Sequence, residues 1–211
     1  MDFLEAFERE RSRYEDGNAR LDPGQLVRIG NAAYGAGLSL LMLGRKAEGA
    51  EWLDLAAERW RESWEYATPT SWGRPIGVIK AAVIAGAATA EDFARWTLEL
   101  GAERAGSPIG RYAGTLALLV LSRWPEAGEV ARTLAADDEF PPAVAASLAA
   151  IADGSRERYG AAVESVLESF ESRDEYLEDV RVADTVLVLQ SLARVRGLAV
   201  ELRGSAVLPA S

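Results

Sequence analysis

The sequence predicts an all-α fold of about ten helices, paired as antiparallel hairpins and stacked into a short α-solenoid. Three observations lead there. Ala, Leu, Glu and Arg, all good helix formers, dominate the 211 residues, and apolar positions recur at helical spacing nearly throughout. Alternating β-branched runs are missing; the nearest approach to one is Leu198-Ala199-Val200-Glu201-Leu202. Pro75, Pro108 and Pro141 stand 33 residues apart, each at the head of an apolar helical run, with room for two helices before the next. A fixed period of that size is the mark of stacked supersecondary units.

Start and stop signals place the elements in order. A first helix over about 3–16 lies within an N-terminal cap, residues 1–20. Asp22-Pro23 supplies an N-cap and a first-turn proline for a helix running through Leu43 to a closing Gly44. A partner helix spans about Lys46 to Tyr66. Arg74-Pro75-Ile76-Gly77 and Ser107-Pro108-Ile109-Gly110 repeat one motif and open two later hairpins. Gly101 and Gly154 close helices, and Ser155 caps the next one. The second helix of each pair carries small and apolar residues at i, i+3, i+4, i+7: Gly49, Trp52, Leu53, Ala56; then Phe93, Trp96, Thr97, Leu100; then Ala127, Val130, Ala131, Leu134; then Tyr159, Ala162, Val163, Val166. The hairpins fill 23–172. A helix at about 181–196 belongs to a C-terminal cap and tail, 173–211, and the whole of 1–211 reads as a single domain.

Composition narrows the chemistry. The chain has no Cys and no His, which excludes a thiol nucleophile, disulfides, Cys/His zinc sites and any imidazole base. With 33 acidic against 23 basic residues the net charge is −10. Lysine occurs only at Lys46 and Lys80, and no basic run offers a patch for a phosphate backbone, so no nucleic-acid partner is expected. The opening MDFLEAFERERSRYE lacks the basic and apolar regions of a signal peptide, and no apolar run reaches transmembrane length. The expectation is a cytoplasmic protein with no membrane partner.

The stretch Leu43-Gly44-Arg45-Lys46-Ala47-Glu48-Gly49-Ala50-Glu51-Trp52-Leu53-Asp54-Leu55-Ala56 resembles a tetratricopeptide repeat. It carries the turn glycine, then the small, large and Ala positions of the second helix. The mid-helix glycine of the first helix falls on Gly37. The aromatic positions of the first helix fall instead on Ala33 and Leu40, and the closing proline on Arg61. The resemblance covers about 23–172 and implies a concave groove, lined by first helices, that binds peptides. Carried over, it places Asn31 and Tyr34 facing the groove in one unit and Tyr112 at the matching position of a later one. Arg28, Arg74, Lys80 and Arg111 lie on or at the start of the same class of helix. Arg, Asn and Tyr together would select an anionic group such as a peptide carboxylate; scattered surface charges are the alternative reading. Separately, Ala183–Val200 followed by Val207-Leu208-Pro209 resembles the closing segment of an all-α family of bacterial toxin-immunity proteins.

Trp52, Trp60, Trp64, Trp96 and Trp124 read as packing between helices. Trp72 sits in the polar loop Thr68–Pro75 beside Arg74, where it either contacts a ligand or folds back as a plug over the core. The acidic stretch Glu164, Glu168, Glu171, Asp174, Glu175, Glu178, Asp179 reads as a solvated face, since the Glu-x-x-His of a two-metal bundle cannot exist here. Gly101–Gly106 lacks the Lys-Ser/Thr of a phosphate loop. No catalytic residue, metal or cofactor is expected. The leading reading is a non-catalytic module binding a protein or peptide; a homodimer through an end helix fits it. The alternatives are an immunity protein that neutralises a toxin, and a small-molecule binder or carboxylate-based enzyme. A first-helix face filled by the chain's own terminal segments, with no groove left, would remove the basis of the leading reading. A deep pocket with a strongly raised carboxylate would favour the enzyme.

Overall fold

The structure, a computed structural model, describes residues 2–19 and 22–210. Among these it contains ten α-helices and no strand: α1 (Phe3–Asn18), α2 (Leu26–Met42), α3 (Lys46–Ser63), α4 (Gly73–Ala85), α5 (Ala90–Glu99), α6 (Pro108–Val120), α7 (Trp124–Ala135), α8 (Pro142–Asp153), α9 (Arg156–Glu171) and α10 (Asp184–Val195). No described helix is long and apolar enough to cross a membrane.

The local signals place most boundaries. Ser107 accepts from the Gly110 amide at 3.2 Å with Pro108 in the first turn, and Gly154 ends α8 at φ 76°. The helix expected from Asp22 begins instead as a 3-10 turn, Pro23–Gln25, in which the Asp22 carboxylate takes the Gly24 amide at 3.0 Å. The expected helix to Tyr66 tightens into a 3-10 turn over Trp64–Tyr66. Ser155 occupies the N-cap of α9 without a capping hydrogen bond from its side chain. Leu198–Leu202 forms no strand. The Gln190 side chain takes both backbone groups of Val200 instead, accepting its N–H at 3.3 Å and donating to its carbonyl at 2.6 Å.

Consecutive helices pack against each other from α1 through α9. The repeated Pro-Ile-Gly motif has a steric meaning in this packing. A Cβ on Gly77 would meet the Trp60 ring at 2.7 Å, and one on Gly110 would meet the Trp72 indole nitrogen at 2.9 Å. Each motif glycine therefore opens a slot for one indole. Gly37 and Gly49 bring α2 and α3 close: a Cβ on either would lie 3.0 Å from the other's carbonyl oxygen. The tryptophans bridge helices as expected, Trp52 against Tyr14 at 5.1 Å and Trp64 against Trp96 at 6.1 Å between ring centroids.

Besides two smaller ones around Phe7 and Trp72, two large buried apolar clusters result. One joins α1–α4 around Tyr34, Leu53, Trp60 and Val78; the other joins α6–α10 around Leu116, Leu134, Leu148, Val163 and Leu189. The C-terminal segment connects them. Val180 and Val182 lie in the first cluster, and Val186, Leu189 and Leu192 in the second. Helix α10 does more than close the last hairpin: it packs on α8 and α9 and also reaches back to α4. On α10, Thr185, Val186, Val188, Leu189, Leu192 and Ala193 are buried in this packing.

Candidate functional site

The first-helix face is partly covered by the chain itself. Residues 173–183 cross it as a strap, and α10 follows. Where they land, polar groups from three first helices converge. Asp184, in the first turn of α10, accepts from the Tyr34 hydroxyl at 2.9 Å and pairs with the Lys80 ammonium at 2.6 Å. Lys80 also donates to the Thr185 hydroxyl at 3.1 Å. Tyr112 of α6, also buried, lies near the same spot, where the Asp184 charge acts on its hydroxyl. One turn earlier on α2, Asn31 accepts from the Trp60 indole at 3.0 Å and donates to Glu178 at 3.0 Å.

Burial would by itself raise the Asp184 carboxyl. The Lys80 charge, with the Lys80 and Tyr34 hydrogen bonds and the Thr185 backbone, overrides it and leaves that carboxyl below its ordinary 3.8. Burial first, then the Asp184 charge, raises the Tyr34 and Tyr112 hydroxyls, so both stay protonated and Tyr34 donates to Asp184. A carboxyl lowered on folding stabilises the native state above its unfolded value and loses that contribution as pH falls through the folded one. The urea midpoint should therefore drop as pH is lowered below 3.8. It should drop less in a variant carrying Lys80→Met and Asp184→Leu; equal slopes would show that the pair is not responsible.

The strap has a second anchor. Glu178 is 13% exposed at its side chain and is held by Asn31 and by Arg13 of α1. Arg9 donates to the Glu178 carbonyl at 2.7 Å. Beneath them the fully buried Glu10 carboxylate takes Arg9 and Arg13, each at 2.7 Å. Gly35 makes the room, since a Cβ there would meet Glu10 Cγ at 2.9 Å and Glu178 Cβ at 3.4 Å. Glu178 and Asp179 take φ of 54° and 56°. For non-glycine residues this costs about 1–3 kcal/mol each and persists only where surrounding contacts enforce it. Glu178 thus departs from the solvated acidic face expected for its stretch.

Two clefts remain beside the strap. One, of about 410 Å³, is lined by Val27, Asn31, Trp60, Ser71, Arg74 and Ile76, among others. The other, of about 380 Å³, runs past Leu38, Phe170, Arg173 and Tyr176. Lys80, Leu177 and Asp184 line both, so the clefts adjoin at these three residues.

Of the sequence candidates, Asn31, Tyr34, Lys80 and Tyr112 come together, and Arg74 lines the first cleft while donating to the Ser63 carbonyl. Arg28 lies exposed on α2, outside the residues lining these clefts. Arg111 is drawn elsewhere: it pairs with Asp137 at 2.8 Å and donates to the Gly106 carbonyl at 3.1 Å, tying two loops together. Trp72 is buried against Ala102, Ala113 and Trp64, the plug of the two readings. The residues that sequence reasoning missed are Asp184, Thr185 and Glu10. Asp184 and Thr185 head an apolar run, where an N-terminal Asp is an ordinary cap signal. Nothing local shows that they face Lys80, 104 residues away.

The arrangement defines an all-α protein whose first-helix face carries a hydrogen-bonding centre and holds carboxylates of its own C-terminal segment. The chain matches no protein-family model, no curated protein and no solved structure.

Proposed function

We propose that this chain is a non-catalytic module that binds a protein or peptide segment through the clefts on its first-helix face. The observation that carries the reading is the convergence of Asn31, Tyr34, Lys80 and Tyr112 on one face. They receive a tight turn and the first turn of α10 there, with two clefts left open beside them. Burial by the strap narrows the groove the sequence suggested, so the binding surface in this reading is the clefts and not the whole face. Their volume also lies in the range of ~300–1,000 Å³ typical of small-ligand pockets, which supports the small-molecule alternative. A carboxylate acid is not favoured there, because Asp184 is held ionised.

Ser71 sits at the mouth of the first cleft, so Ser71→Trp should block it with little effect on the core. Peptides selected by display against the wild-type protein should bind Ser71→Trp at least tenfold more weakly by fluorescence anisotropy. Selected peptides that bind both proteins equally would overturn the reading.

A further inference from the structure

We infer that the turn Tyr176–Asp179 is an internal stand-in for the partner segment, and that the partner presents a large apolar residue followed at once by a carboxylate. This deepens the binding-module reading and rests on it. Four observations lead to it. Leu177 is apolar yet 48% exposed, and it lines both clefts together with Lys80 and Asp184. The next residue, Glu178, places its carboxylate on Asn31 and Arg13 and its carbonyl on Arg9. Both arginines remain about half exposed, at 47% and 45%, so an incoming carboxylate can reach them. The backbone at Glu178 and Asp179 is left-handed, so letting go of the cradle relieves strain.

The chemistry of the exchange is one carboxylate for another. A partner carboxylate takes the Arg13 and Asn31 positions and its preceding apolar side chain takes the place of Leu177. The turn swings out, and the two clefts become one. Val180 and Val182 are each 2% exposed, so the chain beyond the turn stays in place as a fixed hinge. Charge complementarity favours this partner even though the protein is acidic overall. Arg9 and Arg13 outnumber the buried Glu10 in the cradle, which carries a net positive charge once Glu178 leaves. Within one chain the turn competes at high effective concentration, so the wild-type protein binds such a segment weakly and selectively.

The probe is a labelled, acetylated and amidated peptide copying residues 173–179. It is titrated into the full chain and into a variant carrying Leu177→Ser, Glu178→Gly and Asp179→Gly. The glycines accept the positive φ, and the valine anchors are untouched. The expected result is at least tenfold tighter binding to the variant. That binding should be lost when the Glu178 equivalent in the peptide is Lys, or when the variant also carries Arg13→Glu. Equal binding to wild type and variant, or indifference to the peptide's carboxylate, overturns the inference. Hydrogen exchange gives a second readout on the wild-type chain. Saturating peptide should speed exchange of the Asp179 and Val180 amides, which donate within the turn at 3.1 Å; unchanged exchange also counts against the idea. If display-selected peptides remain sensitive to Ser71→Trp while the strap peptide fails these tests, this inference alone falls and the binding reading stands.

Discussion

Asp184→Ala should destabilise the protein by about 3 kcal/mol, measured as the shift in urea unfolding followed by far-UV circular dichroism. The Lys80 ammonium and the Asp184 carboxylate are each 14% exposed, so removing one leaves the other as a largely buried, unpaired charge. Breaking such a pair costs about 3–5 kcal/mol, and the remaining solvent contact sets the low end. The Tyr34 hydroxyl loses its acceptor in the same step. Asp184 also sits in the first turn of α10, where a negative charge is favoured by the helix dipole. The variant carrying both Lys80→Met and Asp184→Leu should recover more than half of the loss, because two apolar groups replace the pair without leaving a charge behind. A single variant within about 0.5 kcal/mol of wild type, the usual range for surface changes, would mean that water already reaches the pair.

Gly114→Ala should cost about 2 kcal/mol, against the usual preference of helices for alanine. Gly114 lies within α6, where a 3-10 turn, Ala102–Arg104, rests directly on the helix. An added Cβ would stand 2.4 Å from both the nitrogen and the Cα of Glu103. The obstacle is backbone, so relief requires moving the turn and the loop behind it, and overpacking of this kind costs about 1–3 kcal/mol or more. The gain in helix propensity, about 1 kcal/mol, is smaller. Gly160→Ala makes the opposite case in α9. Its Cβ would meet only Val200 Cγ1 at 3.5 Å, an ordinary contact, so the change should stabilise by about 0.5–1 kcal/mol. Thermal unfolding of the two variants should move in opposite directions. A shared direction would show that propensity, and not packing, governs both sites.

The glycines also mark how far the sequence was legible. The 33-residue spacing of Pro-Ile-Gly predicted hairpins, and the helices duly begin near each motif. That Gly77 and Gly110 each receive an indole, Trp60 and Trp72, is a packing fact that the spacing alone does not contain. The same holds for the site. Asn31, Tyr34 and Tyr112 were singled out by the tetratricopeptide resemblance and Lys80 by its place on the same class of helix, and the structure brings their side chains onto one face. Arg111 shared that class of helix and was drawn instead to Asp137. A long guanidinium near a helix end follows the closest carboxylate, and loop geometry places it. Glu178 was misread for a related reason: an acidic run looks solvated until a distant helix supplies Arg9 and Arg13.

By itself the sequence determined the helices, most of their boundaries and the packing of neighbours in chain order. These depend on interactions between residues a few positions apart, which periodicity and punctuation record directly. It also excluded imidazole and thiol chemistry, because the residues are absent. Only the tertiary structure decided what lies on the first-helix face. The return of α10 onto α4, and the pairing of Asp184 with Lys80, close loops of about a hundred residues. Such contacts follow from which apolar surfaces remain unburied once the hairpins have stacked. That remainder is set by the whole packed array, and no local stretch of sequence carries it.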